Sequence, residues 1–141
     1  METCQHLQPL MRMLIHRVGN DGLESLTNVE RNAFLVWCYP AAVNDGGHAS
    51  FFYNTYGDFA HETVTALRET GLVEFSHILA RAISQFPDAR VPRELDDRNA
   101  AFDSLSHEAH DAMGECDKAF FELGDVAIMD RLWDYWRQSA T

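Results

Sequence analysis

The sequence predicts an all-α protein, a single compact multi-helix domain over residues 1–141. Apolar residues recur at three- and four-residue steps along nearly the whole chain. Helix start and stop signals punctuate that pattern, and no run of two-residue alternation is long enough for a strand. A length of 141 residues fits one domain, and a 46% hydrophobic content supplies its core without metal or disulfide staples, which excludes intrinsic disorder.

A first helix is expected from Gln5 to Val18, closed by the turn-rich Gly19-Asn20-Asp21-Gly22. Thr27-Asn28-Val29-Glu30 reads as a capping box, the threonine accepting from the third helical amide and the glutamate reaching back. The run from Ala33 to Tyr39 is apolar on all sides, which suits a helix surrounded by others, and Pro40 should kink it or end its first part. Next, Gly46 and Gly47 permit a turn with positive φ. Asn44 or Asp45 is expected to cap a helix that presents Phe51 and Phe52 to the core, and Asn54 to close it before Gly57. Asp58 to Thr70 carries Phe59, Thr63, Ala66 and Leu67 on one side, with Gly71 as its left-handed terminator. Leu72, Phe75, Leu79, Ala82, Ile83 and Phe86 form one stripe that stops at Pro87, so these two helices should make a tight hairpin. After a loop from Pro87 to Pro92, two further helices are expected, Arg98 to Lys118 and Val126 to Gln138. The last should turn Ile128, Leu132, Tyr135 and Trp136 inward.

The formal net charge is −11, unevenly placed: residues 1–93 contribute −3 and residues 94–141 contribute −8. Such a balance disfavours direct binding to nucleic acid or to anionic membranes, both of which call for clustered positive charge. With a single Lys, nearly all basic groups are Arg, whose forked guanidinium suits internal ion pairs with carboxylates. The acidic N-terminus lacks the charge of a secretion signal, and no apolar run approaches the length of a membrane span. A soluble, cytoplasmic protein is expected. Cys4, Cys38 and Cys116 are odd in number and widely spaced, so free thiols are expected.

His107-Glu108-Ala109-His110-Asp111 suggests a zinc-protease motif, but its histidines are three apart rather than four, so the motif fails. Asp103, His107 and Asp111 lie four apart on one helix face and could hold a metal. A solvated face, with the acids favouring a protonated His107, is the plainer reading. Nucleophile elbow, phosphate loop and dinucleotide fingerprint are all missing, and Cys38 sits in the most apolar stretch. No enzymatic activity, cofactor or metal is expected. The amides of Gly46 and Gly47 invite an anion-binding reading, set against an architectural one in which they redirect the chain between buried helices.

The segment from Val43 to Asn54 resembles the signature Val-Asn-Asn-Gly-Gly-Phe-x-Gln-Tyr-Phe-x-Asn-Ser of an acidic all-α bacterial family of DNA-mimic proteins. Val43, Asn44, Gly46, Gly47, Phe52 and Asn54 fit directly; Asp45, His48, Ser50, Phe51 and Thr55 are substitutions. Glu30 to Phe34, Trp37, Glu62, Ala66-Leu67 and Gly71 also agree, and the resemblance extends over about residues 24–138. It implies an all-α fold, often dimeric, whose carboxylates take the place of DNA phosphates on a transcriptional regulator.

The function expected is therefore an acidic protein-binding module that occupies the nucleic-acid-binding surface of a basic protein. The candidate partner-binding acids are a row of Asp103, Asp111 and Glu115 on the helix after Arg98, with Glu108 on the same broad side, and a second row of Glu122, Asp125, Asp130 and Asp134, within a subunit or across a dimer. An immunity or antitoxin protein covering a toxic enzyme suits the same size and acidity, and a small ligand-binding domain built on the Asn44 to Asn54 turn is the remaining alternative.

Overall fold

In the computed structural model, residues 2–139 are described, with side chains from Gln5 onward, and all their regular structure is helical. The Cys4 side chain, expected as a free thiol, lies outside the described side chains.

Helix α1 (Glu2–Asp21) outlasts its expected end and runs through Gly19. It stops where Gly22, at φ 87°, donates its amide to the Val18 carbonyl. Helix α2 (Asn28–Tyr53) begins with the capping box that its sequence specifies. Thr27 Oγ1 accepts from the Glu30 amide at 3.2 Å and Glu30 Oε1 accepts from the Thr27 amide at 3.0 Å. Arg17 of α1 donates to both Glu30 oxygens at 2.9 Å. The Thr27 amide first, then the guanidinium, hold this carboxyl below its usual range.

Pro40 does not interrupt α2. Its missing N–H forfeits the bond to the Val36 carbonyl, and the backbone stays helical until Gly46 (φ −169°, ψ 32°) and Gly47 (φ 76°, ψ −169°). A short 3-10 turn, Thr55–Phe59, holds Asp58 and Phe59, which the periodicity assigned to the next helix. Helix α3 (Ala60–Glu69) then ends in a Schellman motif. Leu72 donates to the Leu67 carbonyl at 2.8 Å and Gly71, at φ 89°, donates to Arg68 at 3.0 Å. The hairpin into α4 (Val73–Ile83) is as tight as expected, and Phe75, Leu79, Ala82 and Ile83 are buried along its stripe.

The segment expected as one helix over 98–118 is two. Helix α5 (Leu95–Asp103) starts early, with the Glu94 carboxylate accepting from the amides of Asp96 and Asp97. The chain breaks at Ser104, and Ser106 caps α6 (His107–Leu123) by accepting from the Ala109 amide at 3.1 Å. Helix α7 (Val126–Ser139) follows, with Ile128 and Leu132 fully buried and Tyr135 and Trp136 half-buried.

Helix α2 is the axis of the molecule: α1, α3, α5, α6 and α7 all pack on it, while α4 packs on α3 and α6. The buried side chains form one contiguous cluster. Tyr39, Phe51, Phe52, Phe75, Phe86, Phe102 and Phe120 build its aromatic interior, mostly in edge-on contacts such as Phe52 on Phe86 at 4.9 Å.

The largest fully buried side chain is a charged one, Arg98. Its Nε donates to the Phe52 carbonyl at 2.7 Å, and Nη1 donates to the carbonyls of Pro92 and Arg93. Nη2 donates to the Asn54 carbonyl and to Asp58 Oδ1, both at 2.8 Å. All the donors of the guanidinium are thereby satisfied, and the orphan carbonyls at the end of α2 are closed by the side chain of α5.

Candidate functional site

Helix α6 buries Ala109, Met113, Cys116 and Phe120. The same periodicity sets a second row on its outward side, in which Glu108, Asp111, Glu115 and Glu122 follow each other with Lys118 in the remaining place. All four acids are exposed. Glu108 and Glu122 have no partner among the described residues, Asp111 meets only His107 at 3.5 Å, and Glu115 pairs with Arg81 of α4. The last two contacts lie on the surface, where ion pairs hold little energy.

The other expected acids are dispersed. Asp103 ends α5 rather than joining the α6 row, and it accepts from the Tyr53 hydroxyl. The row expected through Asp103, Asp111 and Glu115 on a single helix therefore does not exist, because the Ser106 cap restarts the helix between them. That break also separates Asp103 from His107 and Asp111, and no group of three or more metal-ligating side chains occurs among the described residues. Asp125 and Asp134 are half-buried. The first accepts from Asn44 Nδ2 at 2.8 Å and the second pairs with Arg137 one turn along α7. Asp130 is exposed on α7.

The acid that the sequence did not single out is Asp117. It rises from α6 beneath the break in α2, where its Oδ1 accepts from the His48 amide at 2.7 Å and lies 2.6 Å from His48 Nδ1. A carboxylate only accepts, so Nδ1 carries its proton. His48 Nε2 in turn lies 2.7 Å from the Tyr39 hydroxyl. The half-helix after Gly47 is therefore capped by Asp117, not by Asn44 or Asp45; Asn44 reaches Asp125 instead, and Asp45 takes only a long bond from Ser50 Oγ at 3.3 Å.

This order of carboxylate, imidazole and hydroxyl has the connectivity of a nucleophile-activating relay, yet Tyr39 and His48 are wholly buried. Burial raises the Tyr39 hydroxyl well above its ordinary pKa, which opposes nucleophilic use. The anion-binding reading of this turn meets the same carboxylate: Asp117 already accepts from the His48 amide, and its Oδ2 would lie 2.4 Å from a Cβ on Gly47, so a negative charge is already seated against the turn. Val43, Gly47 and Phe52 are buried and the Asn54 carbonyl takes the Arg98 guanidinium, whereas Asn44 and Gly46 are exposed. Cys38 is buried and its thiol is pushed up to about 12 by desolvation, which leaves it unreactive. No helix among the described residues is long and apolar enough to cross a membrane.

Residues 24–139 match the family model described as DMP19-like protein. No curated protein and no solved structure matches the chain.

Proposed function

Because the chain belongs to the DMP19-like family, we propose that it is a DNA mimic, an acidic module that occupies the nucleic-acid-binding surface of a basic protein such as a transcriptional regulator. The observation that supports this reading is the outward row on α6. Glu108, Asp111 and Glu122 stand exposed with no basic side chain but Lys118 in their row, and they lie within the segment that carries −8 of the net charge. Carboxylates offer the acceptor geometry that Arg forks meet on phosphates. Successive positions in the row rise by about 4.5–6 Å along the helix, against about 3.4 Å per phosphate along one DNA strand. One helix is thus sparser than a strand, and the second row falls to Asp130 on α7 or to the same row on a second copy of the chain.

Affinity capture from native lysate at low and high salt, with the captured protein identified by mass spectrometry, tests the partner class. A basic DNA-binding protein lost at high salt supports the proposal; a co-encoded toxic enzyme retained at high salt makes the immunity reading the better one. With that partner in hand, a variant carrying Glu108→Gln, Asp111→Asn, Glu122→Gln and Asp130→Asn should keep its melting temperature or raise it, since exposed like charges repel. Its association should slow by about tenfold or more and lose much of its salt dependence. Wild-type association in this variant would place the interface elsewhere. Duplex DNA should show no mobility shift with the purified protein alone, and a shift at low salt would overturn the reading.

A further inference from the structure

Not all of the surface beside the α6 row is polar. Val73 of α4 and Leu123 of α6 are 45% and 40% exposed. They belong to one groove, formed by two adjoining hollows that share Glu74 and Leu123. Val73, Glu74 and Ile78 of α4 line one side; Glu122 and Leu123 of α6 and Ala127 of α7 line the other. Val73, Ile78, Leu123 and Ala127 give the groove an apolar lining. Both carboxylates at its rim, Glu74 and Glu122, are exposed and have no partner among the described residues. Of the basic groups nearby, Arg131 is held at the Gly71 end by the Thr70 carbonyl at 2.6 Å, His77 lines the groove, and Lys118 stands one turn before Glu122.

We infer that this groove docks an amphipathic basic helix of the partner, with Leu or Ile side chains seated between α4 and α6 and Lys or Arg flanks meeting Glu74 and Glu122. The inference rests on the proposed acidic module and adds an apolar anchor to it. A groove between two helices accepts the i, i+3, i+4, i+7 apolar row of a third, and the rim selects a positively charged one. Charge argues against a second copy as the occupant. A two-fold contact would bring the patch carrying Glu74 and Glu122 onto the same acidic patch of a second chain whose net charge is also −11. The groove is also continuous with the α6 row through Glu122, so one partner can meet both. A purely carboxylate interface loses its affinity as salt rises, whereas one anchored here retains an apolar remainder.

The test uses the full chain, labelled with nitrogen-15, and two synthetic helical peptides of about 15 residues, the length of a typical groove-bound helix. Both are Lys-rich; one carries Leu at i, i+3, i+4 and i+7, and the other has Ala at those places. The Leu peptide should shift amides of α4, the end of α6 and the start of α7, and should bind about tenfold more tightly than the Ala peptide. Val73→Ser with Leu123→Ser should erase that difference, and both positions are exposed enough for the fold to persist, as circular dichroism will verify. Glu74→Gln with Glu122→Gln should weaken both peptides. Equal binding of the two peptides, or an undiminished preference for Leu in the serine variant, would overturn the proposal. So would a wild-type dimer, seen by sedimentation, that dissociates in the serine variant, because a second copy would then be the occupant. Equal binding of the two peptides to the wild type, with native-partner binding still sensitive to Glu108→Gln and Asp111→Asn, would sink the groove alone. The converse pattern would sink the mimic reading alone.

Discussion

Replacing Arg98 by Met should lower the stability of the protein by about 3–5 kcal/mol, a large fraction of the total for a domain of this size. Met keeps much of the side-chain length but has no donor. The carbonyls of Phe52, Pro92 and Arg93 and the Asp58 carboxylate would each lose the bond from a guanidinium that is itself 0% exposed, while the Asn54 carbonyl would keep only the Gly57 amide. Each buried acceptor left without a partner costs about 1–3 kcal/mol, and relaxation and water entry recover part of the sum. The melting temperature should fall by about 10–15 °C. Arg98→Lys should cost less than Met because a charge and three donors remain, though an ammonium lacks the planar fork that five acceptors require. Asp58→Asn should cost least, about 1 kcal/mol, because Asp58 accepts only one of the five bonds and its side chain is 34% exposed. Urea unfolding of the three variants gives the ranking. Equal costs for Arg98→Met and Asp58→Asn would reduce the role of Arg98 to that one ion pair. The tightness of the clamp is visible at Gly57, where a Cβ would stand 2.7 Å from Arg98 Nε and 2.8 Å from the Phe51 carbonyl oxygen.

What the sequence made legible was local. The Thr27 capping box, the Gly71 terminator and the α4 stripe each depend on residues within a turn or two of one another, so their chemistry can be read in order along the chain. The break between α5 and α6 was hidden for a specific reason. Phe102, Leu105, Ala109, Met113, Cys116 and Phe120 continue the three- and four-residue rhythm across it, so periodicity reports one helix where the Ser106 hydroxyl starts a second. The interior role of Asp117 was hidden by distance: His48, which it holds, lies 69 residues away, and nothing near Asp117 distinguishes it from the exposed acids of the same helix. Arg98 was misplaced similarly, as the first residue of a helix rather than as a buried clamp, because its acceptors are backbone carbonyls, to which sequence is blind. Of the candidate acids, Glu108, Asp111 and Glu115 were legible as one side of a helix, whereas Glu122, read into a second row, joins them on α6 and Asp103 leaves them for α5. Asp125 and Asp134 became half-buried through partners that composition does not reveal.

The two adjacent glycines of the signature should respond very differently to a methyl group. Gly46 has an extended φ of −169°, which any residue adopts, and a Cβ there would stand 3.1 Å from the Ser50 Cβ. Gly46→Ala should therefore cost about 1 kcal/mol or less, the scale of a small steric adjustment. Gly47 combines φ 76° with ψ −169°, a region open essentially to glycine alone, where another residue pays about 1–3 kcal/mol in backbone strain. Its Cβ would also fall 2.4 Å from Asp117 Oδ2 and 2.8 Å from Cγ. The carboxylate would have to withdraw from the His48 amide and ring, stripping the cap from the second half of α2. Gly47→Ala should thus cost about 3 kcal/mol or more, and Gly47→Val more still, since a branched Cβ tolerates positive φ least. A double-mutant cycle separates the two causes. In an Asp117→Ala background the collision is gone while the strain remains, so Gly47→Ala should cost about 1–2 kcal/mol less than in the wild type, and the two substitutions should be non-additive by that amount. Additive costs would show that Asp117 does not press on the turn. Equal costs at Gly46 and Gly47 would show that the left-handed break is not where the chain is held.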